Sequence, residues 1–301
     1  MLQRAGFLLA ILVPLGAAGC LSKTREAMRS QSACNAGDPA ACSRLAEQLE
    51  AGRHVLRDEA RAATLFEKAC TAGIGDACAS LASMYQRGSG VRFRDSSRAG
   101  PLLTQACEQH SNVGCAQLGS LYLRGAGFPK DPAHARALFG QTCSAGYLTG
   151  CARLGFLVAG GEGGPRDPAR AAQLFKQACD GQIWAGCDGL GTLHLEGSGV
   201  VQSDSLAASY FRKGCDNWEA SPCYHLGLLS EAGKGVPQDL GRAARSYRIA
   251  CNGDSGPACL KLAGLFKIGA GVRRDSARVG ELTRKACSLG VAEACAAPRG
   301  S

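Results

Sequence analysis

Aromatic residues are scarce in this 301-residue sequence: phenylalanine, tryptophan and tyrosine together make up only 6%. The 34 lysine and arginine residues are spread along the chain and do not form a basic run. A groove for nucleic acid needs a basic stripe with stacking aromatic side chains, so we expect no nucleic-acid partner. The net charge of +9 instead predicts a solvated basic surface, which would favour anionic partners.

Motifs for metal, phosphate and acyl chemistry are missing as well. The sequence has no C-x-x-C pair and no H-E-x-x-H, whereas zinc sites use closely spaced cysteine and histidine ligands. It has no G-x-S-x-G, and its G-x-G segments follow predicted helices, whereas a phosphate-binding loop requires a preceding strand. We therefore predict no metal ligand, no cofactor and no catalytic residue.

Cysteine, in contrast, is abundant, and 16 of the 17 cysteines form pairs separated by seven residues. Successive pairs are 36 residues apart, with one step of 37. A fixed period of this length predicts a solenoid of repeated units. An even set of cysteines at constant spacing favours disulfides in an exported protein, with metal binding as the less favoured alternative. The predicted disulfides are Cys34–Cys42, Cys70–Cys78, Cys107–Cys115, Cys143–Cys151, Cys179–Cys187, Cys215–Cys223, Cys251–Cys259 and Cys287–Cys295.

Each repeat contains signals for two helices. Helix A runs through the second cysteine of a pair, with leucine three residues later and a glycine stop ten residues later, as at Leu154 and Gly161. Helix B begins after an aspartate or serine cap and has a large apolar residue eight positions on, as at Asp167 and Phe175. The last repeat has Thr283 in that apolar place, which is typical of a terminal repeat. The pattern predicts an all-α, right-handed α/α superhelical solenoid of about seven disulfide-stapled repeats.

The first 19 residues are predicted to be a lipoprotein signal peptide. A positive start is followed by an apolar stretch from Ala5 to Leu15, which is too short to span a bilayer. The small residues before Cys20 resemble a bacterial lipobox, which implies cleavage before Cys20 and attachment of lipid to it. Ala17 departs from the leucine that is commonest at its place, and ordinary cleavage remains an alternative. Because Leu21 is not aspartate, the resemblance implies the outer membrane facing the periplasm, or the cell surface.

The repeat resembles the Sel-like repeat family, which is related to the tetratricopeptide repeats. The marks are L-[GA]-x-[LM], G-x-G-V, the aspartate cap, and K-A-C or Q-A-C at the end of helix B, as at Lys68, Gln177 and Lys285. The constant cysteine spacing resembles the subgroup of Helicobacter cysteine-rich proteins. The resemblance implies a scaffold that recognises proteins or peptides. Some subgroup members are described as penicillin-binding proteins or weak β-lactamases, but the S-x-x-K, S-D-N and K-T-G motifs are absent here.

The organisation predicted from these signals is a signal peptide (1–19), a tether and N-terminal half-repeat (20–37), the solenoid (38–290) and a C-terminal cap and tail (291–301). We expect a monomer, lipid-anchored in the bacterial cell envelope, that binds a protein or peptide partner. The residue seven positions after each second cysteine varies in kind while its neighbours do not. Such residues would line the concave face of the solenoid or pack between adjacent A helices. The predicted binding face is Tyr85, Tyr122, Val158, His194, Ser230 and Phe266.

Overall fold

The computed structural model describes residues 15–296, with side chains from Arg25 onward, and every regular element in this range is an α-helix. The chain divides into two compact units, Met1–Lys130 and Asp131–Ser301. The helices are α1 Leu15–Asn35, α2 Pro39–Ala51, α3 Glu59–Thr71, α4 Gly75–Arg87, α5 Ser96–Glu108, α6 Asn112–Arg124, α7 Pro132–Ser144, α8 Leu148–Gly160, α9 Pro168–Asp180, α10 Trp184–Glu196, α11 Asp204–Cys215, α12 Ala220–Ala232, α13 Leu240–Asn252, α14 Gly256–Ile268, α15 Ser276–Ser288 and α16 Ala292–Cys295.

The predicted signal peptide lies mostly outside the described residues, and so do the side chain of Cys20 and the predicted tail from residue 297 onward. The predicted tether and half-repeat, residues 20–37, is helical as far as Asn35. In the part of the chain that the structure describes, no helix combines the length and the apolar character that crossing a membrane requires.

The helices begin and end where the local signals predict. The even-numbered helices α2 to α14 are the A helices, and the odd-numbered helices α3 to α15 are the B helices. At the start of α13 the carboxylate of Asp239 accepts a hydrogen bond from the Arg242 N–H at 2.8 Å, which satisfies an amide that has no partner within the helix. Helix α8 ends at Gly161, whose φ of 76° is left-handed, a conformation that glycine adopts without strain.

The small residue four positions after the second cysteine makes room for the large residue of helix B in the same repeat. A Cβ atom added to Gly155 would lie 2.6 Å from the ring of Phe175, and one added to Gly191 would lie 2.6 Å from the ring of Phe211. Both rings are buried, with 1% and 0% of their surface exposed. The rings therefore fill the space between the two helices of a repeat, and a side chain at the small position would displace them.

The second glycine of the G-x-G loops lies against the preceding repeat, except at Gly127, where a Cβ atom would meet nothing within 4 Å. A Cβ atom on Gly271 would come within 2.2 Å of the carbonyl carbon of Leu240, in the first turn of α13. Gly235 has the same relation to Asp204, again at 2.2 Å, in the first turn of α11. These loops thus pack one repeat on the next, and the close approach requires glycine.

All eight predicted cysteine pairs are bonded, with Cα atoms 4.5 to 4.7 Å apart. Each bond joins the end of one helix to the first turns of the next A helix. A loop of this size contributes about 2.5 kcal/mol in the chain-entropy account of disulfides. Such a framework is typical of an oxidising, exported location.

The K-A-C and Q-A-C endings also have a structural reason. Lys68 Nζ donates to the carbonyl oxygen of Cys34 at 3.3 Å, and Lys285 Nζ donates to that of Cys251 at 2.8 Å. In both cases the donor lies one repeat after the acceptor, and the accepting carbonyl is at the end of a helix. Both carbonyls also accept a backbone hydrogen bond, from Gly37 and from Asp254, so the basic side chain adds a second donor and complements the negative end of the helix dipole.

Candidate functional site

The predicted binding-face residues lie in the last turns of the A helices, next to the start of helix B in the same repeat. The carbonyl of Val158 accepts a hydrogen bond from the N–H of Asp167 at 2.9 Å, and the carbonyl of Ser230 accepts one from Asp239 at 2.9 Å. Because Asp167 and Asp239 are helix caps, these bonds tie the end of helix A to the cap of helix B. The position therefore helps to join the two helices of a repeat.

The side chains at this position differ in exposure. Val158 and Ser230 are completely buried, so they offer no surface to a ligand. The other four carry rings that are partly buried and pack on the loop or on helix B of their own repeat. Those contacts are Tyr85 with Arg98, Tyr122 with Phe128, His194 with Tyr210, and Phe266 with Arg278. These four residues remain predicted contacts for a partner.

A different surface of the A helices carries the open grooves of the second unit. We call it the A-helix face and define it by Asp188, Leu195, Tyr224, His225, Leu228, Glu231, Leu260 and Lys261. These residues stand one, two, five or eight positions after a second cysteine. Sequence reasoning did not select these positions, although they vary from repeat to repeat as much as the predicted ones. All of them except Asp188 and His225 line two grooves, of about 640 Å³ and about 760 Å³.

Asp188 of α10 is the buried charged group of this face, with only 8% of its surface exposed. Its carboxylate accepts one hydrogen bond from Ser221 Oγ at 2.7 Å and another from His225 Nδ1 at 2.8 Å, both from α12. Because a carboxylate only accepts, His225 must carry its proton on Nδ1, which leaves Nε2 as an acceptor when the ring is neutral. The ring of His225 packs 4.8 Å from that of Phe211, so the imidazole is held in one orientation.

Glu231 is the second polar centre of the A-helix face. Its carboxylate accepts a hydrogen bond from the hydroxyl of the buried Tyr247 and one from Lys261 Nζ at 3.5 Å. Burial, together with the hydrogen bond to Glu231, raises the pKa of Tyr247, so the phenol stays a neutral donor. Glu231 and Lys261 line both grooves, while Leu195 and Leu228 belong to one and Tyr224 and Leu260 to the other.

The corresponding surface of the first unit is more polar and pairs with itself. Arg87 forms an ion pair with Glu50 of the preceding repeat, and Ser83 donates a hydrogen bond to Gln117 of the following one at 3.3 Å. Burial and the nearby carboxylate of Asp76 raise the pKa of Glu47 on this surface. With its polar groups engaged and little apolar area between them, this surface is the weaker candidate.

Family comparison identifies the repeat. The sequence profile described as "Sel1 repeat" matches seven successive segments, which together make up most of the chain: residues 39–74, 75–111, 113–147, 149–182, 184–217, 223–255 and 256–291. The chain belongs to the Sel1 repeat family. No curated protein matches it by sequence. The Sel1 assignment makes the protein a repeat scaffold suited to protein interactions.

Two of the solved structures similar to this chain share its fold, at TM-scores above 0.5. One is a protective antigen of uropathogenic Escherichia coli strains that displays an SLR fold, with 25% identity over 88% of this chain and a TM-score of 0.62. The present chain spans 57% of that protein. A Sel1 repeat protein from Oxalobacter formigenes has 19% identity over 81% of this chain and 96% of its own, with a TM-score of 0.70. Helicobacter pylori cysteine rich protein B has 28% identity over 41% of this chain and 88% of its own, with a TM-score of 0.34.

Within these Sel1 repeats, the polar groups of the A-helix face bond to one another between neighbouring repeats. Ser221 and His225 both donate to Asp188. Among the described residues no hydrogen bond joins Ser221 to His225, so the contact that a serine nucleophile makes with a histidine base is not formed. Among residues 15–296, no three histidine, cysteine, aspartate or glutamate side chains are placed to hold a metal ion. The face combines apolar grooves with oriented donors and acceptors, as a peptide-binding surface does.

Proposed function

We propose that this Sel1 repeat protein is an exported scaffold that binds an extended segment of a partner protein along the A-helix face of its second unit. The observation that carries the proposal is a pair of grooves that have Glu231 and Lys261 in common, with Leu195 and Leu228 lining one and Tyr224 and Leu260 lining the other. Apolar side chains of a peptide would occupy the grooves. Its backbone amide and carbonyl groups would bond to the Glu231–Lys261 pair and to His225.

The binding surface can be tested by photo-crosslinking in the living cell. A photoreactive amino acid in place of Leu228, on the A-helix face, should give a discrete crosslinked partner. The matched control is the same replacement of Leu206, an exposed leucine on α11 with 48% of its surface accessible. The partner bound at position 228 should be lost on Lys261→Glu. Equal crosslinking at both positions, or none at position 228, would refute the proposed surface.

We also propose that the mature protein is anchored in the bacterial envelope by lipid on Cys20, with the outer membrane facing the periplasm as the site. The oxidising location that the disulfides suggest and the lipobox-like residues before Cys20 support this proposal. Cys20→Ser should move the protein from the membrane fraction to the soluble envelope fraction. The double variant Cys287→Ser/Cys295→Ser, which changes cysteines elsewhere, should stay with the membrane. Unchanged membrane association of Cys20→Ser would exclude lipid anchoring at this residue.

The resemblance to the cysteine-rich subgroup implies a second candidate function, the binding of penicillins. This function can be tested on the same protein. Turnover of nitrocefin by the oxidised protein, abolished by His225→Ala with folding intact, would favour that function over the interaction scaffold. We expect no turnover, because the S-x-x-K, S-D-N and K-T-G motifs are absent from the sequence.

A further inference from the structure

A third groove of the second unit lies between two B helices, α11 and α13, and contains none of the residues that define the A-helix face. Its volume is about 550 Å³, and its lining includes Arg212 of α11 and Arg242 and Arg245 of α13. Leu226 and Ile249 supply apolar lining, and Asp216 is the one acidic residue in it. Three guanidinium groups around one groove therefore carry more positive charge than the lining compensates.

The first unit has a groove at the same positions of its repeats, between α3 and α5, and it is different in charge. It is smaller, about 290 Å³, and Glu67, Arg98 and Pro101 stand where the larger groove has its three arginines. The other pairs of neighbouring B helices in the second unit also lack the three arginines. At the same three positions they have Gly140, Arg170 and Gln173; Lys176, Leu206 and Ser209; or Arg248, Arg278 and Glu281.

The polar groups of the α11–α13 groove are poorly satisfied within the protein. Arg242 Nε lies 3.7 Å from Asp239, and the charge of Arg245 also acts on that carboxylate. Neither Arg212 nor Arg245 forms a direct ion pair with the residues that the structure describes. Ser246 also lines the groove with only 5% of its surface exposed, and its hydroxyl makes no hydrogen bond to the described residues. The Ser246 hydroxyl is therefore available to donate to a ligand in the groove.

Trp218 adds an independent observation at the mouth of this groove. It lies in the turn between α11 and α12, with 75% of its surface exposed and a left-handed φ of 65°. Four of the eight equivalent turns have glycine in this conformation, at Gly37, Gly73, Gly146 and Gly290. His110, Gln182 and Asp254 have the same conformation in the other three turns, so the positive φ belongs to the repeat turn and not to this site. What distinguishes Trp218 is an exposed aromatic side chain that lines the same groove as three arginines. Such a side chain is available to pack against a ligand in the groove.

We propose that the α11–α13 groove binds a phosphate group. Arg212, Arg242 and Arg245 would donate to the phosphate oxygens, Ser246 would donate its hydroxyl proton, and Trp218 would pack against the part of the ligand that carries the phosphate. Three guanidinium forks and a hydroxyl offer more donors than the two oxygens of a single carboxylate can accept, whereas a phosphate has enough acceptor positions. The proposal does not depend on the peptide-binding function of the A-helix face.

The fluorescence of Trp218 reports binding directly if the other tryptophan, Trp184, is replaced by phenylalanine. At constant ionic strength, inorganic phosphate, pyrophosphate and vesicles of phosphatidylglycerol in phosphatidylcholine should be titrated, with pure phosphatidylcholine vesicles and acetate as references. We expect a saturable response to at least one phosphate probe. A response to the free anions identifies a soluble phosphate compound as the ligand, and a response to phosphatidylglycerol vesicles alone identifies a lipid headgroup.

The matched pair of variants is Arg245→Ala in the groove and Arg248→Ala on the same helix outside its lining. Arg245→Ala should weaken binding by about tenfold or more, since a hydrogen bond to a charged group contributes about 1.5 to 3 kcal/mol. Arg248→Ala removes the same charge and should change the affinity little. Equal weakening by both variants, tighter binding of acetate than of phosphate, or no saturable response to any phosphate probe would overturn the proposal. Circular dichroism of each variant separates loss of binding from loss of folding.

Discussion

Helices α13 and α15 are the second helices of successive repeats, and the same local signals produce both. Each has 13 residues and an aspartate cap, Asp239 or Asp275, that accepts a hydrogen bond from the third following N–H at 2.8 or 3.0 Å. Their burial is nevertheless very different. Helix α15 buries only Ala286, whereas α13 buries Ala243, Ala244, Ser246, Tyr247, Ala250 and Cys251.

The next helix along the chain accounts for the difference. Helix α13 precedes the full-length helix α14, whereas α15 precedes α16, which has only four residues. In a repeat protein each unit is buried by its immediate neighbours, so a terminal unit has part of its surface uncovered. The sequence of α15 matches this environment, since Thr283 stands where α13 has Tyr247. Local signals therefore make a helix, but the next repeat decides how much of it is buried.

The largest contrast is expected between Tyr247→Ala and Thr283→Ala. The ring of Tyr247 is completely buried, so its truncation should lower the free energy of unfolding by about 3 to 5 kcal/mol. Thr283 is partly exposed, and its truncation should cost less than about 1 kcal/mol. Urea unfolding followed by circular dichroism measures both. Similar costs would show that α15 is covered in solution as fully as α13.

A second contrast separates inter-repeat packing from backbone conformation. Gly271 and Gly290 both have positive φ, 67° and 87°, but only Gly271 lies against another repeat. Gly290→Ala should cost about 1 to 2 kcal/mol, the penalty of the left-handed conformation. Gly271→Ala should cost about 1 to 3 kcal/mol more, because the new methyl group meets the first turn of α13. The two free energies of unfolding provide the test, and equal values would mean that the loop moves away at no cost.

The disulfides of the two repeats should differ in their reduction. Cys251 and Cys259 have 1% and 0% of their surface exposed, whereas Cys295 is exposed. Because exchange requires a thiolate to reach the sulfur atoms, limited treatment with a thiol should open Cys287–Cys295 first. Alkylation at successive times followed by peptide mass spectrometry gives the order. Simultaneous opening of both pairs would show that the inner repeats unfold as readily as the terminal one.

Substitutions at the helix caps are expected to have the smallest effects on stability. The effect should be the same in α13 and in α15. Asp239→Ala and Asp275→Ala should each reduce thermal stability slightly and by similar amounts, because a cap acts only on the first turn. The hydrogen bond from the Arg242 N–H holds the pKa of Asp239 below its ordinary value. The stabilisation that Asp239 gives to the folded protein should therefore be fully present above the pKa of an unfolded aspartate. It should be lost as the pH falls through the pKa of Asp239 in the folded protein. Thermal melts at neutral and acid pH compare the variants, and a much larger loss at Asp239 would argue against a purely local role.

The candidate site was harder to predict from the sequence than the repeat was. Variation at the position seven residues after the second cysteine indicated a contact surface, yet Val158 and Ser230 at this position are completely buried. The A-helix face lies instead at positions such as those of Tyr224 and Leu228. A helical pattern indicates which residues share one side of a helix, but the rotation of that side toward solvent depends on the neighbouring repeats.

The sequence by itself determined the period of the repeats, the helix caps, the glycine stops and the cysteine pairs. Each of these depends on residues within one or two turns of the chain, as in the eight-residue separation of Cys251 and Cys259. Only the tertiary structure decided which surfaces are open and which distant residues meet. Asp188 and His225 are 37 residues apart, and the groove of Arg212 and Arg245 is formed by two separate helices. Such contacts depend on how one repeat packs on the next, and no local pattern specifies that packing.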